Sequence, residues 1–376
     1  MDFDLSNQAK VICEKVKTLF DEDSRASLGA LKNRDTNLMR NLTKKWMKVF
    51  GQTGYLAIGL DNGTKDVDLV AAQENLATIS PSLFLAVEVT TRIFGRVIAA
   101  YGSVEQKNEF LSALREGKFI GAVALSEESM NIESNPFFTS GLEVGGRFLV
   151  NGHKSHVVNG PLADWIAVAG KCGEGYAFFL VGKDSEGLAI GKNLCTLGFN
   201  GTVCSNISFE NNSVPIKHVV GPFQDRKPFM TVRAWEDQIL TAASLGLMRR
   251  SYETALKYAK EHKSGDRPII EYQEVGFKLA EMLTLLQTSQ LLAHRAAWMA
   301  KIEDGEADVL ARCAKIFCSE SAEAVASSGL QILGVSGCLS GNPVEEAYRD
   351  AKYLQIAGTS TEISRMKLGD GIMGWD

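Results

Sequence analysis

No stretch of this chain reaches the roughly 18 consecutive apolar residues that a membrane-crossing helix needs, so no helical membrane span is expected. The opening residues, Met1-Asp-Phe-Asp-Leu-Ser-Asn7, lack the basic and apolar segments of a secretory leader, and a cytoplasmic location is expected. A basic excess is missing as well. Lys and Arg number 40 against 45 Asp and Glu, a formal net charge of −5 with no basic block, which argues against nucleic acid as a partner. The five histidines are dispersed, and the seven cysteines (Cys13, Cys172, Cys195, Cys204, Cys313, Cys318, Cys338) are odd in number and scattered. Cys313 and Cys318 do not have a zinc spacing, so no metal site is expected and the thiols read as reduced.

What is present is an ordinary globular composition, 45% hydrophobic and 23% charged, in 376 residues, enough for two or three domains. Residues 1–118 read as helical. Ala9, Val11, Ile12, Val16, Leu19 and Phe20 recur at an approximate helical period. Leu83 to Tyr101 is a long apolar run with Pro81 at its entrance, as in a buried helix carrying proline in its first turn. Ser103 with Gln106 three residues on is a helix-start signature. No glycine-rich phosphate loop occurs in this region.

At about residue 119 the pattern changes to short apolar or alternating segments: Phe119–Leu125, Arg147–Lys154, Trp165–Ala169, Tyr176–Val181 and Val203–Phe209. Turn residues separate them, with Gly145-Gly146 and Asn151-Gly152 reading as hairpin punctuation, a rhythm of antiparallel strands rather than βαβ units. From Phe229 the helical period returns over 231–262, 271–304 and 306–333, long antiparallel helices of the kind that form bundles. The expected fold is therefore α+β, mainly α. It has an N-terminal helical domain (1–118), a middle antiparallel β-barrel domain (119–228) and a C-terminal four-helix bundle (229–376).

Near the C-terminus, Gln331-Ile-Leu-Gly-Val-Ser-Gly337, Pro343-Val-Glu-Glu-Ala-Tyr-Arg-Asp-Ala-Lys352 and Ile356-Ala-Gly-Thr-Ser-Thr-Glu-Ile363 describe a helix that ends, restarts at Pro343 and ends again at Gly358. Each break leaves backbone N–H groups and hydroxyls side by side, as needed to hold an anionic or polar cofactor edge. Upstream come Tyr101-Gly-Ser-Val-Glu-Gln-Lys107, Ala124-Leu-Ser-Glu127, Gly152-His-Lys154, Asn159-Gly160, Ala163-Asp164, Leu197-Gly198, Phe209 and Val214-Pro215. In order and spacing, these pieces with Arg349-Asp-Ala-Lys352 and Gly358-Thr-Ser360 resemble the acyl-CoA dehydrogenase family over essentially the whole chain.

The resemblance implies FAD-dependent α,β-dehydrogenation of an acyl thioester carried on CoA or on an acyl carrier protein. Such chemistry needs a carboxylate aimed at Cα, donors on the carbonyl oxygen, and exclusion of water. Many family members carry the base where this chain has Ala357. A subset, including isovaleryl-CoA-type enzymes, carries it on the first long helix of the bundle, and Glu236, ten residues before Gly246, falls in that register. Relatives that oxidise prolyl groups on carrier proteins are similar around Trp235-Glu236. Glu236 is the expected base, weighed against an ordinary solvated helix glutamate, with Asp237 and Glu362 as reserve carboxylates. Leu125, Trp235, Ala357 and Gly358 are the implied substrate-facing positions.

The implied FAD contacts are Ser126, His156, Val158, His262, Gln273, Gln331, Gly334 and Thr359. Ser126, Gln273, Gln331 and Thr359 keep the family residue. His156 and Val158 replace a tryptophan and a threonine, and His156 is more simply an imidazole filling the missing indole's volume. His262-Lys-Ser-Gly265-Asp266 stands where the family has the Arg-x-x-Phe-Gly that reaches the FAD of a neighbouring subunit, and Gly334-Val335 replaces a Gly-Gly pair. Glu128-Ser-Met-Asn-Ile-Glu-Ser-Asn135 replaces a glycine-rich flavin loop. Losing a charged phosphate contact costs a few kcal/mol, which leaves open a divergent non-redox or FAD-deficient member, a lyase or a silent subunit paired with an active paralogue. The implied partners are an electron-transfer protein and further copies of the chain in a homodimer or homotetramer.

Overall fold

The computed structural model describes residues 5–20, 35–60, 66–128, 137–300 and 305–374. Helices α1 (Asn7–Thr18), α2 (Thr36–Thr53), α3 (Asp66–Ile79), α4 (Pro81–Glu88), α5 (Arg96–Tyr101) and α6 (Val104–Arg115) fill the N-terminal part. Their starts follow local chemistry. Ser6 accepts from the Ala9 N–H, Pro81 opens α4 behind Ser80, and Ser103 with Gln106 forms a reciprocal capping box at α6. The run expected as one helix over 83–101 is continuous but not uniform: Val89–Gly95 between α4 and α5 is π-helical. Thr90 and Thr91 there donate back to the carbonyls of Ala86 and Val87. Within this segment Arg92, fully buried, donates to the Tyr55 carbonyl at 2.6 Å, while Glu88 just before it accepts from the Tyr55 hydroxyl and the Gln73 amide.

Among the described residues the middle region is one sheet of eight strands: β1 (Gly121–Ala124), β2 (Ser140–Val144), β3 (Arg147–Val158), β4 (Trp165–Cys172), β5 (Gly175–Gly182), β6 (Leu188–Ile190), β7 (Cys204–Pro215) and β8 (Val219–Phe223). Their order is β6-β7-β3-β2-β4-β5-β8, with β1 beside β4. Among the described residues the expected barrel is not closed: β6 and β8 end the path unpaired with each other, so the strands form an open sheet. Nor is the pairing purely antiparallel, since β1 and β2 both run parallel to β4. Gly145-Gly146 does turn the β2–β3 hairpin with both residues at positive φ, whereas Asn151-Gly152 lies inside β3 at a register shift rather than at a turn.

The C-terminal part is helical again: α7 (Lys227–Glu261), α8 (Gln273–Met299), α9 (Gly305–Leu333), α10 (Pro343–Ile356) and α11 (Thr361–Met373). A small β9–β10 ladder (Lys263–Ser264, Arg267–Pro268) links α7 to α8. α9 packs against α7, α8 and α10, and α11 is added beyond the four expected bundle members. The glycine-containing segment from Gly369 continues α11 as helix through Met373. Gly246 has a packing reason: a Cβ there would lie 2.5 Å from the Ala77 Cβ, so its absence lets α7 settle onto α3. One apolar cluster runs from the N-terminal helices into the bundle, and a second lies within the sheet.

Candidate active site

The site forms where the end of β1, a bulge in β3 and the first turns of α7 meet. Ser126 follows β1, and its carbonyl accepts from the Ser155 N–H at 3.0 Å, which ties it to β3. The next residue, Glu127, is locked from below: Lys154 reaches it at 2.8 Å, and the N–H groups of Phe138 and Thr139 donate to it. Burial works against the Glu127 charge, but Lys154 and these donors hold its carboxyl below the usual range. Burial also pulls Lys154 down to about 8, opposed by Glu127, and its ammonium lies over the Phe137 ring. The pair is a brace that fixes the backbone carrying Ser126.

The register shift between Lys154 and Val157 changes the aim of β3 at the same point. His156 takes φ +55 and its N–H is held by the Asn206 side chain at 3.1 Å. Its exposed ring, Ser155 and Val158 reach the cavity that Ser126 also lines. From the opposite side α7 contributes Val232, Arg233 and Glu236, and the π-helical stretch contributes Val89 and Ile93. The cavity volume is about 50 Å³, and Leu125 completes its apolar wall. Glu236 faces this cavity with its side chain 35% exposed, and Arg233 Nη1 lies 2.6 Å from it. Arg233 Nη2 donates to the Ser126 hydroxyl at 3.1 Å, so one guanidinium joins the two. Burial and then the Glu236 charge push the Cys204 thiol up to about 12, and Glu236 adds to the upward push on Tyr353.

Asp237, one residue on, faces elsewhere. With Trp235 and Gln238 it lines a larger cavity of about 520 Å³ on another face of α7, walled by Ala293, Ala296 and Ala314. That cavity contains none of Ser126, His156 and Val158, so its size gives it no claim on the chemistry. Trp235, expected beside the substrate, belongs to this second cavity. Asp237 accepts from the Thr359 N–H at 2.8 Å, and desolvation raises its carboxyl to about 6 against that hydrogen bond. A Cβ on Gly358, which takes φ +67, would lie 2.4 Å from Asp237 Oδ1, so there is no room for a side chain. Ala357 caps α10, its N–H given to the Tyr353 carbonyl; neither Ala357 nor Gly358 lines the Glu236 cavity. Glu362 sits exposed in the first turn of α11, a helix-end charge.

The expected cofactor residues divide into two groups. Ser126, His156 and Val158 share the Glu236 cavity, while Thr359 is held by Asp237, which lines the other one. His262 lies at the other end of α7, 26 residues on, or about 39 Å at the helical rise. Gln273 opens α8 at that far end, while Gln331 and Gly334 close α9 there; a Cβ on nearby Gly329 would touch Ser251, Met282 and Val344. His262 stacks on Tyr258, and Gln331 and Gly334 are exposed. The loop substituted for the family's glycine-rich segment falls, from residue 129, outside the described residues. The donor set fits an FAD: a hydroxyl, an apolar wall and an exposed imidazole stand together beside Glu236.

Two family profiles match the chain, "Acyl-CoA dehydrogenase, N-terminal domain" over residues 8–118 and "Acyl-CoA dehydrogenase, C-terminal domain" over residues 230–373, together more than half of it. A 3-(aryl)acrylate reductase of Clostridium sporogenes is 29% identical over 88% of this chain and 90% of its own. Mitochondrial isovaleryl-CoA dehydrogenase of Oryza sativa subsp. japonica is also 29% identical, over 79% of this chain and 74% of its own. The butyryl-CoA dehydrogenase structure from Megasphaera elsdenii shares the fold, with a TM-score of 0.87 at 22% identity, covering 99% of this chain and 100% of that one.

Proposed function

The chain belongs to the acyl-CoA dehydrogenase family, and from that premise we propose that it removes a hydrogen pair from the α and β carbons of an acyl-CoA, with FAD as its cofactor. The observation that carries the reading is the placement of Glu236 in one small cavity with Ser126, His156 and Val158. Bound FAD supplies the acceptor for the β-hydride. Ser126, His156 and Val158 would hold it in the cavity they share with Glu236. The chain's own work is to bind the thioester, keep water away with Val89, Ile93, Leu125 and Val232, and take the α-proton on Glu236.

His262, Gln273, Gln331 and Gly334 are too far along the bundle to serve the same FAD molecule as Ser126 in one chain. Their role in this reading is to contact the cofactor of a second copy, which makes the working unit a homodimer or homotetramer. The exposed side chains of Phe277, Leu283, Leu291 and Trp298 on α8 suit burial in such an assembly. The same reading divides the chain at about residues 118 and 228, places it in the cytoplasm, and gives it an electron-transfer partner. Among the described residues no helix is long and apolar enough to cross a membrane.

The decisive experiment is anaerobic. Purified protein should be yellow, and its flavin absorbance should bleach on addition of short-chain acyl-CoA thioesters such as butyryl-CoA. Colourless protein that cannot be reconstituted with FAD, or a flavin that no acyl thioester reduces, refutes the assignment.

A further inference from the structure

Lys315 lies within α9 with 1% of its surface exposed, and its ammonium donates to the Leu354 carbonyl in the last turn of α10. The carboxylates acting on that ammonium are Asp237 first, then Glu236 beside it on α7 and Glu362 on α11. Asp237 accepts from the Thr359 N–H at 2.8 Å, and a Cβ on Gly358 would collide with it. The turn between α10 and α11 is thus gripped on both sides. Lys315 holds the helix end that leads into it, and Asp237 holds the residue within it.

Stability does not account for this arrangement. Burial disfavours both charges, pushing Lys315 down and raising Asp237 to about 6. Opposite charges buried in this way are often no more stable than neutral side chains of the same volume. What ionisation adds is grip, because a charged acceptor holds an N–H more strongly than a neutral one. Of the charges acting on Asp237, Lys315 favours the carboxylate and the adjacent Glu236 opposes it. Arg96 lines the same cavity, but its guanidinium donates to the Gly59 carbonyl and to Gln238. Resting on the function proposed above, we infer that Lys315 is a positioning residue: its ammonium and the Asp237 carboxylate act as one buried pair that clamps the turn carrying Gly358 and Thr359 against the helix bearing Glu236.

The test compares flavin-loaded wild type, Asp237→Asn, Lys315→Met and the double variant. Denaturant unfolding from about pH 4 to about pH 8 gives the stability margin of Asp237→Asn over its parent. Asp237 binds its proton more tightly folded than unfolded, so in wild type this margin grows up to about pH 6 and then holds. In the Lys315→Met background it should keep growing for about one further pH unit or more, the scale of losing a nearby opposite charge. Flavin reduction by butyryl-CoA is followed over the same range. The step in rate that Asp237→Asn abolishes should lie near pH 6 in wild type and higher by the same amount in Lys315→Met. A lysine that only fills space would lower the rate without moving that step.

Margins that level off at the same pH in both backgrounds overturn the pairing. Margins that shift while the rate steps stay together overturn the positioning role and leave the dehydrogenase reading intact. Should Lys315→Met fail to fold at neutral pH, adding Asp237→Asn should restore folding, because it removes the charge left unpaired. A double variant that stays unfolded refutes the pair. Flavin that no acyl thioester reduces sinks the dehydrogenase reading and the positioning role with it, while the stability margins still decide whether the two charges are coupled.

Discussion

Glu236 and Asp237 are adjacent on α7, yet the fold gives them opposite circumstances. Glu236 keeps about a third of its side-chain surface, carries an arginine partner and stands in a cavity with room for a reacting atom. Asp237 is desolvated, spends an oxygen on the Thr359 N–H and sits against Gly358, so it serves as a peg for the turn after α10. Buried Lys315 is felt by both, and it donates to the Leu354 carbonyl of α10. A carboxylate that is accessible and paired can exchange a proton with a ligand. One whose oxygen is committed to backbone holds structure instead. The roughly 100° between successive helical residues is enough to separate the two jobs.

The sharpest way to break that contrast is Glu236→Gln, which keeps the shape and removes the base. Flavin reduction by butyryl-CoA should slow by about 10²–10⁴-fold, the usual contribution of a positioned base, with FAD content unchanged. Undiminished turnover would remove Glu236 from the mechanism. A smaller effect is expected from Gly358→Ala. A methyl group there needs a left-handed backbone and meets the Asp237 carboxylate, so denaturant unfolding should show a loss of about 1–3 kcal/mol. Unchanged stability would show that Asp237 does not pin the turn.

Asp237→Asn sharpens the comparison through pH. The Asp237 carboxyl is raised in the fold, from an ordinary value near 3.8 to about 6, so its proton is bound more tightly folded than unfolded. Its contribution to stability is therefore complete below about pH 4 and declines as pH rises to about 6. The asparagine variant, free of that decline, should gain on wild type between those pH values and hold a constant margin above them. A margin independent of pH across that window would contradict the desolvated carboxylate. The smallest effect belongs to Ser126→Ala, which removes one neutral hydroxyl contact. FAD affinity should weaken about tenfold or less, in line with a hydrogen bond worth about 0.5–1.5 kcal/mol. Complete loss of the cofactor would mean that Ser126 carries far more than a ring-edge contact.

Much of the architecture was legible in the chain because it rests on local rules. Apolar residues at helical spacing marked α7, α8 and α9 to within a few residues, and Ser103 with Gln106 marked the start of α6 through a capping box that the structure contains. The sheet was legible as strands but not as a topology. Nothing in Phe119–Leu125 says that β1 pairs parallel with β4, because the partner is more than forty residues away, and closure into a barrel depends on how the edges β6 and β8 are left. The site was half legible. Glu236, Ser126, His156 and Val158 do come together, but Trp235 turns to another cavity, and Arg233 gave no signal beyond its place three residues before Glu236.

The order of residues by itself determined which segments coil into helices, where they are capped, and that a carboxylate stands early on a long helix. These depend on neighbours a few positions apart, within reach of backbone hydrogen bonds and side-chain spacing. Only the tertiary structure decided that this carboxylate meets a hydroxyl from residue 126 and an arginine from its own helix in one small cavity. It also decided that His262 and Gln331 end far along the bundle from that cavity. Such meetings turn on the packing angles of whole elements and on a bulge in β3, quantities that no local run of residues encodes.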